Sequence, residues 1–464
     1  MTSDRGVFAV STIGLTIRVR CIFAVVALLP VVRPAHADAA DTAIPKPVAV
    51  DADRVRAAGL RDFVGKHLTL YTDLPATPAL AELPLAFDAA VPQWCRFFKV
   101  DPARVANWRM HAFLMKDKAR FVAAGVLPAS LPEFKNGFCA DADLWFYEQP
   151  TDYYRRHLLL HEGTHGFMLT LLGSCGTAWF SEGVAELAAT HRWDSTAPSD
   201  RRLTLGDVPR NREEVPAWGR IATIKADLKA GRFRTIADLV DDSVRGYSDV
   251  ESYAWCWTLS FFLSHHPRYR DRFMGLLTDV AKPDFNDLFR KRFAADRDDM
   301  NREWTVFVRE LEYGVDVGRV AIDFRPGAPP PVATAPVDVA ADRGWQSSGL
   351  KLEAGKTYRV RATGRFQVAA VDGKSWPCEA GGITIRYYRG RPLGILLGAI
   401  EPDATKPVAN PANSASGLIA PIEIGLETTL TPTATGTLYL RTNDSNGELS
   451  DNAGSLRVEV TPLP

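Results

Sequence analysis

The stretch His161-Glu162-Gly163-Thr164-His165 constrains this chain more than any other. Two histidines four apart share one face of a helix, so both imidazoles can point at a single ion, with the glutamate beside it as a candidate base. The flanks, Tyr153 to Leu160 before it and Gly166 to Leu172 after it, predict a buried helix that ends near Gly173. Such a helix carries the pair inside the protein, and zinc is the ion this spacing suits. Gly163 and Gly166 each cost the helix up to about 1 kcal/mol against alanine, which predicts close approach by another backbone or a substrate. Packed core histidines without an ion are the other reading of the pair.

A structural zinc site takes four protein ligands and a catalytic one three, so a third ligand is the next question. The run Trp179-Phe180-Ser181-Glu182-Gly183-Val184-Ala185-Glu186-Leu187 predicts a second helix facing the first, with glutamates at i and i+4. Here the chain resembles the gluzincin metallopeptidases, and Trp179 to Glu186 looks like the Trp-Leu-Asn-Glu-Gly-Phe-Ala segment of aminopeptidase N-like enzymes, with a slightly shorter spacer. The resemblance implies that His161, His165 and Glu182 bind zinc and that Glu162 takes a proton from the attacking water and passes it to the leaving amine. It places Glu186, one turn on, where it would orient a ligand histidine through its free ring N–H, a solvated or capping carboxylate being the other reading. It also implies a donor for the developing oxyanion. Tyr253 is the candidate, at the head of a Tyr-x-x-x-Trp-x-Leu-x-x-Phe-Leu run similar to one in secreted bacterial gluzincin-like proteins, many of unknown function. A core aromatic is the other reading of Tyr253.

With 55 basic and 55 acidic residues the chain gives no sign of a nucleic-acid partner, and no cationic run suggests a membrane surface. Arg18 and Arg20 precede an apolar run from Cys21 to Val32, and Ala35-His36-Ala37 follows as a cleavage signal, which predicts a signal peptide over residues 1–37 and export to the periplasm or beyond. That run falls short of the ~20 residues a membrane span needs, so no span is expected after cleavage. Export makes disulfides possible for Cys95, Cys139, Cys175, Cys256 and Cys378. Cys139 and Cys175 bracket the histidine helix and are the expected pair; buried thiols are the other reading.

The expected fold is α+β. Residues 50–316 form the gluzincin-like domain, with strands over 67–71, 108–115 and 144–147, helices over 85–98 and 119–124, and mostly helix from Asp152 to Tyr313. Asp143 to Tyr147 is expected to be the edge strand beside the histidine helix, which in gluzincins pairs with the substrate backbone. Residues 317–343 are expected to be a linker, semi-rigid and exposed around the proline-rich stretch 325–336. Beyond it, from 344 to 464, short alternating runs separated by Gly, Asn and Asp predict an antiparallel β-sandwich.

This tail resembles the calcium-dependent PA-I type galactose-binding lectin domain on Gly344-Trp345-Gln346-Ser347-Ser348-Gly349, Ala362-Thr363-Gly364 and the stretch from Leu438 to Ser455. The resemblance implies calcium on Asp444, Asp451 and Asn452, and a glycan partner, although the lectin's remaining sugar contacts have no clear match. An ion-free turn is the other reading. Together these features predict a secreted zinc metallopeptidase acting on peptide or protein substrates. The alternative is a non-catalytic, zinc-containing carbohydrate- or protein-binding protein on the same scaffold.

Overall fold

The computed structural model describes residues 44–242, 250–330, 336–402 and 416–464; the expected signal peptide and the centre of the proline-rich stretch, 331–335, lie outside the described residues. The first layer comprises α1 (Ala52–Ala57), β1 (Arg61–Val64), β2 (Leu68–Thr72), α2 (Pro78–Phe98), β3 (Met110–Met115), α3 (Lys118–Ala124), β4 (Gly137–Ala140) and β5 (Asp143–Tyr147). Its sheet runs β1-β2-β3-β5-β4. The three central strands are parallel and the flanking β1 and β4 antiparallel. Met110, Ala112, Phe113, Leu114 and Met115 are all buried, as befits a central strand covered on both faces.

Two expectations change here. Helix α2 begins at Pro78 rather than at residue 85 and runs through Pro84 and Pro92, because Thr77 caps its start and burial of Leu80, Leu83 and Phe87 outweighs the hydrogen bonds that the prolines remove. The edge strand is β4, not Asp143–Tyr147. A tight turn, with Asp141 in the left-handed region at φ 52°, folds Gly137–Ala140 back antiparallel onto β5, and four residues opening on glycine were too short to read as a strand.

At the head of β5 the buried Asp143 carboxylate accepts the Val48 N–H at 3.0 Å and ties the N-terminal segment to the sheet. Burial pushes this carboxyl up to about 6 from 3.8. The folded protein therefore holds the proton more tightly than the unfolded chain does, so this stabilisation is complete below pH 3.8 and lost as pH rises through about 6. Asp143→Asn keeps an oxygen for Val48 and is expected to exceed the parent's stability by about 1–2 kcal/mol at neutral pH while matching it in acid. Urea titrations at the two pH values check this, and a variant weaker at neutral pH refutes it.

The helical layer follows: α4 (Asp152–Leu172), α5 (Ala178–Ala189), β6 (His191–Trp193), β7 (Leu203–Leu205), α6 (Arg220–Lys229), α7 (Ile236–Asp242), α8 (Val250–His265), α9 (Arg270–Gly275), α10 (Phe285–Arg292), α11 (Arg297–Arg309) and α12 (Val317–Val320). Thr151 caps α4, and Gly173 ends it at φ 79°. Its glycines face core side chains, not a backbone or a substrate: a Cβ on Gly163 would press on Phe87 and Trp94, and one on Gly166 would collide with Met110. Close backbone approach occurs instead at Gly183 of α5, where a Cβ would stand 2.5 Å from the Cys256 carbonyl oxygen of α8. No helix of the described residues is long and apolar enough to cross a membrane.

The C-terminal region contains β8 (Val337–Ala340), β9 (Gln346–Leu352), β10 (Tyr358–Thr363), β11 (Phe366–Val371), β12 (Lys374–Cys378), β13 (Ile383–Tyr388), β14 (Arg391–Leu393), β15 (Leu396–Pro402), β16 (Ile422–Glu423), β17 (Glu427–Leu430), β18 (Gly436–Thr442) and β19 (Ser455–Pro462). Two four-stranded sheets, β17-β10-β19-β8 and β16-β15-β18-β9, enclose one core, to which Val360 and Val458 contribute from the first and Leu396, Leu438 and Leu440 from the second. All seven residues of β18 are buried, because Tyr439 on its other face joins Val306 of α11, Ile322 and Trp345 in a second cluster.

That cluster, with Ile322, and the helical core, with Val317 and Val320, revise the linker. Val317, Val320 and Ile322 are core residues, and β8 already belongs to the sandwich. Among the described residues of the linker, 325–330 are mostly exposed, and even there the Gly327 N–H donates to Thr437 Oγ1 at 2.8 Å. Three spaced apolar residues are too few to show a periodicity beside so many prolines. Docking is completed by Arg441 on Glu310 at 2.6 Å and by Gly447, where a Cβ would collide with the Tyr313 carbonyl oxygen.

Candidate metal centre

Helices α4 and α5 bring His161, His165 and Glu182 to one point. His161 Nε2 and His165 Nε2 lie 3.2 and 3.4 Å from Glu182 Oε2 and 3.2 Å from each other. The other ring nitrogens are turned away from this point: His161 Nδ1 lies 3.4 Å from Glu186 Oε1 without forming a hydrogen bond, and His165 Nδ1 faces Ser181 Oγ at 3.2 Å. With protons on the Nδ1 atoms, three lone-pair atoms converge and no donor stands among them. Glu182 Oε2, buried, has no hydrogen-bond partner. An all-acceptor cluster of two imidazoles and a carboxylate is what a cation requires, so these residues fit a metal ion.

Burial alone would depress the His161 imidazole, yet Glu182 and Glu186 outweigh it and hold it at about 9. Glu182 is likewise pushed up by burial but held at about 2 by the two histidines. The pocket thus favours positive charge.

Behind this point lies a second buried group. Glu186 meets His157 Nε2 at 3.2 Å and accepts a fork from Arg220, with Nε and Nη2 at 2.9 and 2.8 Å. His157, His161 and Glu186 also have the spacing of a metal group, but the guanidinium grips both Glu186 oxygens. A cation there would face a fixed positive charge, so this group supports the first. His157 is steadied from its other side, its Nδ1 3.0 Å from the Ala189 carbonyl oxygen.

Glu162 is 5% exposed and packs on the edge strand: a Cβ on Gly137 would collide with its Oε1. Burial pushes its carboxyl up against the pull of His161 and His165. Tyr253, half-buried on α8, stands edge-on to His161 with ring centroids 6.0 Å apart. The charge of Glu182, then burial, pushes its hydroxyl far above the ordinary value, so it stays protonated.

The expected cysteine staple is absent. Cys139 and Cys175 are free thiols, and each faces a backbone carbonyl oxygen, that of Asp141 and that of His165 respectively.

In the sandwich, Asp444 and Asn452 come together, but as acceptor and donor: Asn452 Nδ2 lies 2.9 Å from Asp444 Oδ2 and also donates to the Ala341 carbonyl. Asp451 turns to β11, where its Oδ2 accepts the Ala370 N–H at 3.1 Å. Asp451 Oδ1 and Asn452 Oδ1 are buried without hydrogen-bond partners, and burial pushes Asp444 up to about 6.

Sequence reasoning missed His157, Ser181, Arg220 and Gly137. His157 was visible, since it precedes His161 by the same four residues that separate His161 from His165. Arg220 and Gly137 carry no local signal, because their partners lie far off in the chain.

No family model matches the chain, and no curated protein matches it. Among solved structures it is similar to the N-terminal domain of EclA, described as a PllA-like lectin, at 20% identity and a TM-score of 0.20, over 28% of this chain and 95% of that one.

Proposed function

We propose that the protein is an exported, zinc-dependent metallopeptidase of the gluzincin type. The observation that carries the reading is the convergence of His161, His165 and Glu182 lone pairs beside a buried Glu162. Bound zinc would supply a water activated near neutral pH and a Lewis acid for the scissile carbonyl. The chain's own groups do the rest. Glu162, its carboxyl raised by burial, accepts the water's proton and returns it to the leaving amine. Tyr253, kept protonated, donates to the carbonyl oxygen as charge develops there. Strand β4, outermost in its sheet, offers its outer edge to the substrate backbone, and Gly137 on it seats Glu162. Among the described residues the sandwich adds no group to this centre.

Zinc analysis of the mature protein, with cleavage of a peptide library by the parent and by Glu162→Gln, tests the reading. Stoichiometric zinc and cleavage by the parent alone are expected. Zinc without cleavage by either form would favour the non-catalytic alternative, and no zinc would refute both.

Gly137→Ala should be nearly as informative. The new methyl must displace the Glu162 carboxylate, and a base misplaced by about 1 Å costs on the order of 100-fold in kcat. Zinc content should not change. A kcat equal to the parent's would show that Glu162 is not seated on this strand during turnover.

A further inference from the structure

We propose that Arg220 is a positioning residue of the metal centre: its fork on Glu186 fixes the carboxylate that stands against His161 Nδ1. This rests on the zinc reading above. Arg220 opens α6 and is 3% exposed. Its Nε and Nη2 engage the two Glu186 oxygens, Nη1 donates to the Trp218 carbonyl at 3.3 Å, and Nη2 also reaches the Tyr154 hydroxyl at 3.3 Å. The guanidinium is thus held on three sides and presents one fixed plane to the glutamate. A carboxylate's terminal torsion is broad, so a single contact would leave Glu186 free to swing. Two parallel bonds from a planar fork remove that freedom. Glu186 Oε1 then stays 3.4 Å from His161 Nδ1 while Oε2 faces His157 Nε2 at 3.2 Å. Arg220 makes no contact with the three converging ligand atoms, so its effect on metal passes through Glu186. A lysine would keep the charge but could not reproduce the fork.

The full chain, stripped of metal, is titrated with zinc against a chromogenic chelator. The forms compared are the parent, Glu186→Gln, Arg220→Lys, Arg220→Gln and the double variant Glu186→Gln with Arg220→Lys. Each single substitution is expected to weaken zinc binding by about 10- to 100-fold, the range found when partners behind metal ligands are lost. The double variant should bind no more weakly than Glu186→Gln alone, because both changes act through one carboxylate. Parent-like affinity in both Arg220 variants, or losses that multiply in the double variant, would overturn the proposal. So would failure of both Arg220 variants to reach the parent's far-UV spectrum, which would make Arg220 a folding residue. A parent that takes up no zinc would instead remove the reading on which the proposal rests.

Discussion

Glu162→Gln is expected to keep its zinc and to lower kcat for peptide cleavage by about 100- to 10,000-fold, the contribution typical of a positioned general base. The substitution preserves size and shape, so packing against Gly137 survives, while the group that accepts a proton is lost. It also leaves His161, His165 and Glu182 untouched, so metal binding should stay within a few-fold of the parent. Burial enlarges the expected effect. A carboxyl 5% exposed and raised above its ordinary value is a better proton acceptor than one in water, and bulk solvent cannot readily replace it. Zinc content and kcat measured on the same preparations decide the matter. Equal, nonzero turnover by the two proteins would exclude Glu162 from the chemistry.

Glu182→Gln is expected to weaken zinc binding by more than about 100-fold, beyond the range for residues that only support a ligand. The carboxylate supplies the one negative charge among the three converging atoms, and it draws both imidazoles toward the same point. The amide is neutral and its nitrogen would turn a donor toward the ion. Because the side chain keeps its volume, loss of metal should occur without loss of the fold, which a cooperative thermal transition of the apoprotein would verify. If the variant held zinc as tightly as the parent, the ion would have to sit elsewhere than among these three atoms.

Much of this was legible in the chain because the information was local. The His161 to His165 spacing follows from the pitch of one helix, and Glu182 and Glu186 lie on the next helix with the same four-residue step. The alternating runs within residues 344–464 were read as strands for the same reason, their period being set within each strand. Wherever the reading depended on what packs against what, it fell short. Val317 and Val320 looked like linker until they were found in the helical core, and Ile322 until Tyr439 and Trp345 were found in its cluster. Gly163 and Gly166 looked like points of backbone approach until Phe87, Trp94 and Met110 filled the space.

The sequence by itself determined the donor groups at the centre of this protein: which of them lie on which helix, and a carboxylate next to the first histidine. Only the tertiary structure decided what surrounds them. The sheet turns back at Asp141 to set Gly137 on Glu162, and α6 carries Arg220 to Glu186 across 34 residues of chain. The reason is physical. Helix periodicity is written in a few consecutive residues, whereas a contact between distant segments is the outcome of packing the whole core and leaves no trace in the spacing of either partner.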